Sequence, residues 1–240
     1  MELFKRKTKF GFSILVGLTV LVVLCGVFES FRPILPANAD LKIKRTVMID
    51  PGHGGFDGGA VAPDGTLEKE INLKVALKLQ KTLQSLGVQV VMTRDTDKAL
   101  GSVGGTVATN KQTDLKHRAD VMKQYPDALF LSIHANKFEQ ENQWGLQTFY
   151  TAGDENAKIL GEAIQSSVVM NLQPNNRRLS KADNRKVYIL KNAVIPAVIV
   201  ECGFLSNPED LKNLKSEGYI GKLSLCIADG ILNYYNVTER

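Results

Sequence analysis

The chain has 240 residues, of which 44% are hydrophobic and 23% are charged, close to the composition of an ordinary globular protein. This composition excludes a disordered chain, a collagen-like repeat and a polytopic membrane protein. The length is sufficient for one domain with a substantial core. Only Cys202 and Cys226 lie outside the apolar N-terminal segment, so we expect at most one disulfide in the folded part.

The net charge of +5 is distributed unevenly along the chain. Residues 1–39 hold five of the 30 Lys and Arg residues and two of the 25 Asp and Glu residues, which leaves 25 basic and 23 acidic residues in the remainder. That remainder contains no stripe of Lys and Arg interleaved with aromatic residues. We therefore do not expect nucleic acid as a partner.

The N-terminus has the pattern of an export signal or a membrane anchor. A basic cluster precedes residues 10–28, which are nineteen residues without a charge. About 19 apolar residues are enough to cross a bilayer as a helix, and the basic flank stays on the cytoplasmic side. We interpret residues 1–42 as this apolar helix with a short linker, and residues 43–240 as a domain outside the membrane. Ala37-Asn38-Ala39 resembles a cleavage site, but its distance from the apolar run leaves both cleavage and anchoring open.

The remaining sequence predicts alternating strands and helices. Apolar runs bounded by turn residues predict strands at 46–50, 88–93, 128–133, 145–151 and 197–200. Helical periodicity and capping residues predict helices at 71–86, 115–125, 157–172, after Asn207, and at 219–235. Asp114 is expected to cap the second helix, after a long polar loop at 98–113. The alternation predicts a single doubly wound α/β domain, with a mixed or mostly parallel sheet and helices on both faces.

Three polar residues follow or end predicted strands. His53 comes after the first strand, His134 ends the third, and Glu201 ends the last. The carboxyl ends of the strands form the ligand crevice of an open α/β sheet, so these side chains are expected to converge. Two imidazoles and one carboxylate with an open fourth position are typical of a catalytic zinc site. His117, on a charged helix, is expected to be a solvated surface residue.

Several carboxylates could complete such a set, and the pattern alone does not choose among them. The candidates are Asp50, Asp57, Glu68, Glu70 and Glu201. Glu68 begins the helix after the glycine-rich loop, where it could either face His53 or only complement the helix dipole. Each histidine could likewise have an ordinary structural role. Metal binding and an ordinary structural role for these residues therefore both stay open at this point.

Five motifs, in order, resemble one family. They are DPGHGGFDGGA (50–60), LEKEINL (67–73), MTRDTD (92–97), SIHAN (132–136) and VECGFLSN (200–207). The sequence from about residue 45 to the end resembles the zinc-dependent N-acetylmuramoyl-L-alanine amidases of bacterial cell walls. The resemblance implies that His53, Glu68 and His134 bind one zinc ion per domain and that Glu201 is the catalytic carboxylate. It also implies hydrolysis of the amide between N-acetylmuramic acid and L-alanine in peptidoglycan.

The compact layout looks like the spore-cortex amidases of endospore formers, which make muramic-δ-lactam precursors and so permit germination. The partners implied are glycan strands with peptide stems, the membrane through the N-terminal segment, and a helper protein. An exported zinc peptidase or deacetylase with another substrate stays open, as does a non-catalytic wall-binding domain. Analysis of the products distinguishes a peptidase or deacetylase from an amidase. Zinc-dependent turnover excludes a non-catalytic domain.

Three further residues are assigned structural roles. Arg94 and Arg118 are expected to form structural salt bridges, although they could bind a carboxylate of a peptide stem. Cys202 lies beside Glu201, but its apolar neighbours favour a small buried side chain over a nucleophile.

Overall fold

The structure, a computed structural model, describes residues 46–101 and 104–238. The strands are β1 (Thr46–Pro51), β2 (Gln89–Met92), β3 (Leu129–Asn136), β4 (Gln147–Tyr150), β5 (Lys181–Ala182) and β6 (Ala197–Phe204). The helices are α1 (Glu68–Ser85), α2 (Val107–Met122), α3 (Glu155–Asn171), α4 (Tyr188–Lys191), α5 (Pro208–Lys215) and α6 (Glu217–Thr238). None of these helices is both long enough and apolar enough to cross a bilayer. The predicted N-terminal apolar helix lies outside the described residues.

The six strands form one mixed sheet in the order β2-β1-β3-β6-β4-β5. Strands β2, β1, β3 and β6 are parallel, whereas β4 runs antiparallel to β6 and pairs in parallel with β5. The mixed, mostly parallel sheet predicted from the sequence is therefore confirmed. The carboxyl ends of β1, β3 and β6 meet at one edge, where β4 begins.

Helices cover both faces of the sheet, as predicted. On one face, Met48, Phe130 and Ile199 pack in a core with Met122 of α2 and Ile189 of α4. On the other face, α1 and α3 pack against the strands, and α6 packs against both of these helices. Burial on both faces explains why the central strands read as continuous apolar runs rather than as alternating patterns.

The start of α2 differs from the prediction. The N-cap is Thr106, whose side chain accepts a hydrogen bond from the Thr109 amide at 3.2 Å. Asp114 lies inside the helix and is buried, so its prediction as the N-cap was wrong. The expected loop at 98–113 is correspondingly shorter, because its second half is helical. Residues 107–113 are mostly exposed and show no apolar period, so in the sequence only the capping residue Thr106 indicates a helix here.

Two strands extend beyond their apolar runs. β3 continues to Asn136 and β6 continues to Phe204, so His134 and Glu201 lie within strands and not at their ends. The short elements β5 and α4 were not predicted, because two and four residues are too few to show a period. At α5 the prediction is confirmed, since the Asn207 side chain accepts hydrogen bonds from the amides of Glu209 and Asp210.

Beneath the edge formed by β1 and β3 lies a buried ionic cluster. The guanidinium of Arg118 donates to Asp50 at 2.5 Å and to Asp114 at 2.6 Å, and all three side chains are largely buried. The same guanidinium donates to the carbonyls of Pro51 and His53. The expected structural role of Arg118 is confirmed, and it ties the loop after β1 to α2.

Replacing Arg118 by alanine is expected to lower the free energy of unfolding by about 3–5 kcal/mol, because it leaves two buried carboxylates without their partner. Urea denaturation monitored by circular dichroism measures this loss. Arg177→Ala is the control, since Arg177 is exposed and donates only to the Pro174 carbonyl. Equal stability of the two variants would show that the cluster contributes nothing to folding.

Candidate functional site

His53 is held in an unusual backbone conformation directly after β1. Its φ of 61° lies in the left-handed region, which residues other than glycine rarely adopt. The imidazole Nδ1 lies 2.8 Å from Oδ2 of Asp57, four residues along the loop. This contact fixes the ring orientation and directs Nε2 toward α1.

Glu68 lies between the two histidines. Its Oε2 is 3.1 Å from Nε2 of His53, and its Oε1 is 2.9 Å from Nδ1 of His134. The amide of Ala60 donates to Oε2 at 2.9 Å, and the side chain of Asn72 donates to Oε1 at 3.2 Å. Glu68 is the first residue of α1, and its side chain is buried against the loop after β1.

Two glycines make room for these side chains. A Cβ at Gly52 would lie 2.3 Å from the imidazole of His134, and a Cβ at Gly59 would lie 2.6 Å from Oε2 of Glu68. Gly59 also has a φ of 70°, which a side chain would strain. The glycine-rich loop therefore wraps closely around the two imidazoles and the carboxylate.

The charges in this cluster are strongly coupled. Burial opposes protonation of His53, but its hydrogen bonds with Asp57 and Glu68 outweigh burial and raise the pKa of the imidazole to about 9. Burial alone would raise the pKa of Glu68, yet the two imidazoles hold it well below its usual range. The carboxylate of Glu68 is thus ionised in this cluster.

Glu201 lies on β6 directly opposite His134 of β3, in the parallel register of the two strands. It is only 8% exposed, and burial raises the pKa of its carboxyl group above the usual value. Within the described chain, no group donates a hydrogen bond to its carboxylate. A buried carboxylate without such a partner is costly for folding and is typical of a functional position.

The cluster has the donors that a metal ion needs. One ligand atom each from His53, Glu68 and His134 can be chosen so that all three lie within 4.8 Å of one another. Two imidazoles and a carboxylate are the donor set of many catalytic zinc sites. The contact of His53 with Asp57 adds the carboxylate that commonly orients a ligating histidine. The residues present therefore fit a zinc ion.

The other sequence candidates lie apart from this cluster. Asp50 pairs with Arg118, and Glu70 points away from the core on the exposed side of α1. Arg94 is buried and donates to the carbonyls of Pro51, Gly52, Thr96 and Lys69, so it is structural but not part of the salt bridge predicted for it. His117 is exposed on α2, as predicted.

Cys202 is a buried free thiol, as predicted from its apolar neighbours, and so is Cys226. Burial raises the pKa of the Cys202 thiol far above its usual range, which disfavours the thiolate that a nucleophile needs. Since both thiols are free, the two described cysteines form no disulfide with each other.

The sequence reasoning did not single out two residues that neighbour Glu68 and Glu201. Asn72 lies one helical turn after Glu68, so the i, i+4 spacing in α1 was a usable signal for its contact. Gln147 lies directly opposite Glu201 in the antiparallel pair of β4 and β6, which the sequence does not reveal.

The three donors lie at the carboxyl edge of an α/β sheet, which is where folds of this class bind their ligands. Residues 47–233 match the family model described as N-acetylmuramoyl-L-alanine amidase. The chain therefore belongs to this family. It is an amidase that acts on peptidoglycan, as the five sequence motifs predicted.

Individual relatives agree with this assignment. The chain is 32% identical over 241 residues to the germination-specific N-acetylmuramoyl-L-alanine amidase of Bacillus subtilis, covering 98% of each protein. It is similar to the CwlD amidase of Clostridioides difficile, solved in complex with the GerS lipoprotein, with a TM-score of 0.77 and 37% identity over 80% of this chain and 99% of that one. An N-acetylmuramoyl-L-alanine amidase of Clostridium difficile 630 gives a TM-score of 0.69 and 30% identity, over 80% and 97% of the chains.

Proposed function

We propose that this amidase is zinc-dependent, with the ion held by His53, Glu68 and His134. The observation that supports this most strongly is that one ligand atom from each of these three residues lies within 4.8 Å of the others, although the residues come from three separate parts of the fold. Zinc, when bound, would polarise the amide carbonyl and make water more acidic. Asp57 orients His53 through Nδ1, so Nε2, which faces Glu68, is the atom that would serve as the ligand.

Glu201 is proposed as the general base and general acid. Its carboxylate lies beside His134 and accepts no hydrogen bond from the described residues, so it is available to an attacking water. It takes the proton from water as the oxygen bonds to the carbonyl carbon of the lactyl group. It then returns the proton to the nitrogen of L-alanine as the carbon–nitrogen bond breaks. Burial raises the pKa of the Glu201 carboxyl group, which favours its accepting a proton.

The biological role is proposed to be modification of the spore cortex, with formation of muramic-δ-lactam during sporulation and consequent germination. Support comes from the similarity to the germination-specific amidase of Bacillus subtilis over nearly the full length of both chains. A helper protein is also proposed, because the similar CwlD amidase was solved in complex with a lipoprotein.

Complementation tests this role. A Bacillus subtilis strain lacking its germination-specific amidase, when it expresses the present chain, is expected to regain muramic-δ-lactam in its cortex and to germinate. Mass spectrometry of digested cortex measures the lactam, and the Glu201→Gln variant is the matched control. Peptidoglycan hydrolysis in vitro without any restored lactam would separate the amidase activity from the cortex role.

The N-terminal segment is proposed to export or anchor the domain outside the cytoplasm, in keeping with its basic flank and its uncharged run at residues 10–28. A reporter that is active only outside the cytoplasm, fused after residue 42, is expected to be active. The same fusion with two aspartates placed within residues 10–28 is the control and should be inactive. An inactive unaltered fusion would contradict export.

A further inference from the structure

The segment between β5 and α4 borders the candidate site. Val187 and Ile189 line a cavity together with His53 and His134. Asp183 anchors the segment, because its buried carboxylate accepts hydrogen bonds from the amides of Arg185 and Val187. The stretch of backbone that carries Arg185 is therefore fixed beside this cavity.

Arg185 is held in a defined orientation with its outer end free. Its guanidinium carbon lies 4.2 Å from the centre of the Phe149 ring, and Nε donates to Asp183 at 3.3 Å. The side chain is 44% exposed, and its two terminal nitrogens have no hydrogen-bond partner among the described residues. A stacked guanidinium with two free parallel donors is suited to bidentate binding of a carboxylate.

Other arginines near this edge are already engaged. Arg94 and Arg118 are almost completely buried and bind main-chain carbonyls and carboxylates of the fold. Arg178 uses Nε and both terminal nitrogens for Trp144, Gln147 and Gln143. Near the site, Arg185 therefore differs from these three in having both terminal nitrogens available to a ligand.

The strand register places Phe149, over which Arg185 is stacked, close to Glu201. Phe149 pairs with Ile199, so it is the diagonal neighbour of Glu201 on the same face of the sheet. Diagonal neighbours in an antiparallel pair lie about 7–8 Å apart. Two extended residues of a peptide span about 7 Å, so a carboxylate two residues beyond the scissile amide would meet the guanidinium that covers Phe149.

We propose that Arg185 binds a carboxylate of the peptide stem and so makes the enzyme selective for anionic stems. This inference rests on the proposed function, because it places the scissile amide beside Glu201. Asp183 is a positioning residue that keeps the guanidinium over Phe149. Arg185 also favours the charged form of Glu201, opposing the larger effect of burial.

Equilibrium binding tests the proposal without turnover. The full chain carrying Glu201→Gln is titrated calorimetrically with N-acetylmuramoyl-L-alanyl-glycine, and separately with its C-terminal carboxamide. The compound with the free carboxylate is expected to bind about tenfold more tightly than the carboxamide. This ratio lies at the lower end of what a hydrogen bond to a charged group contributes, because Arg185 is partly exposed. Adding Arg185→Gln should abolish this preference while changing the affinity for the carboxamide less than twofold.

Arg177→Gln is the matched control, because it removes the same charge from an exposed arginine in the preceding stretch of chain. It should keep the tenfold preference. The proposal is wrong if the carboxylate is not preferred, if neither compound binds, if the preference survives Arg185→Gln, or if Arg177→Gln removes it equally. The zinc content of the histidine variants tests the proposed metal site separately, since it does not depend on Arg185.

Discussion

Replacing Glu201 by glutamine is expected to lower peptidoglycan turnover by about 10²–10⁴-fold, the usual contribution of general acid–base catalysis. The amide is nearly the same size as the carboxylate, so the packing of β6 against β3 is preserved. Because Glu201 is proposed to contact water and not the metal, the variant should keep both its fold and its zinc. Initial rates of peptidoglycan hydrolysis and metal analysis of the purified protein measure the two effects.

Two further glutamate variants complete this comparison. Glu68→Gln should lose zinc as well as activity, because a neutral amide is a poorer ligand for a dication than a carboxylate. Glu70→Gln should change neither, since Glu70 is exposed on the same helix. If Glu201→Gln loses zinc and Glu68→Gln keeps it, the two roles must be exchanged. Unchanged hydrolysis by both would refute the mechanism.

His53→Ala and His134→Ala are expected to reduce zinc from about one ion per chain to a small fraction of that value, because each removes one of three protein ligands. Activity should fall with the metal content. Plasma mass spectrometry of the purified proteins measures zinc directly. His117→Ala is the matched control and should retain full occupancy. Full zinc in both site variants would show that the ion binds elsewhere.

The sheet could be predicted from the sequence because its central strands are buried on both faces. Short apolar runs such as TVMID and AVIV, followed or preceded by turn residues, favour buried strands, and the helices between them show a clear apolar period. The predicted ends of strands were wrong where polar residues continue the strand beyond its apolar run. His134 and Glu201 extend β3 and β6 beyond their apolar runs, because the site is built into the strands themselves.

The ligand set was only partly predictable from the residue pattern. The positions of the strands indicated His53 and His134 as ligands. Several nearby carboxylates were equally plausible as the third ligand. What selects Glu68 is the path of the glycine-rich loop, which brings the Ala60 amide and the His53 ring onto its carboxylate. That path depends on positive φ angles and close contacts at Gly59, which no local pattern specifies. The family resemblance supplied the choice that the pattern could not.

Arg185 shows a different limit of sequence reasoning. Its place beside the site depends on β5, a strand of two residues, and on stacking against Phe149 of β4. Neither feature has a sequence signal. Arg94 stands in the motif MTRDTD and Arg118 on a predicted helix, and both are buried structural residues. Free donors could be recognised only once each guanidinium had been placed among its partners.

Digestion of purified peptidoglycan by the full chain, with mass spectrometry of the products, tests the central claim most directly. The account predicts free peptide stems that begin with L-alanine, together with glycan strands that keep their N-acetyl groups. A zinc chelator should abolish their release, and added zinc should restore it. Cleavage within the stems, loss of acetyl groups, or release of stems that a chelator does not affect would contradict the account.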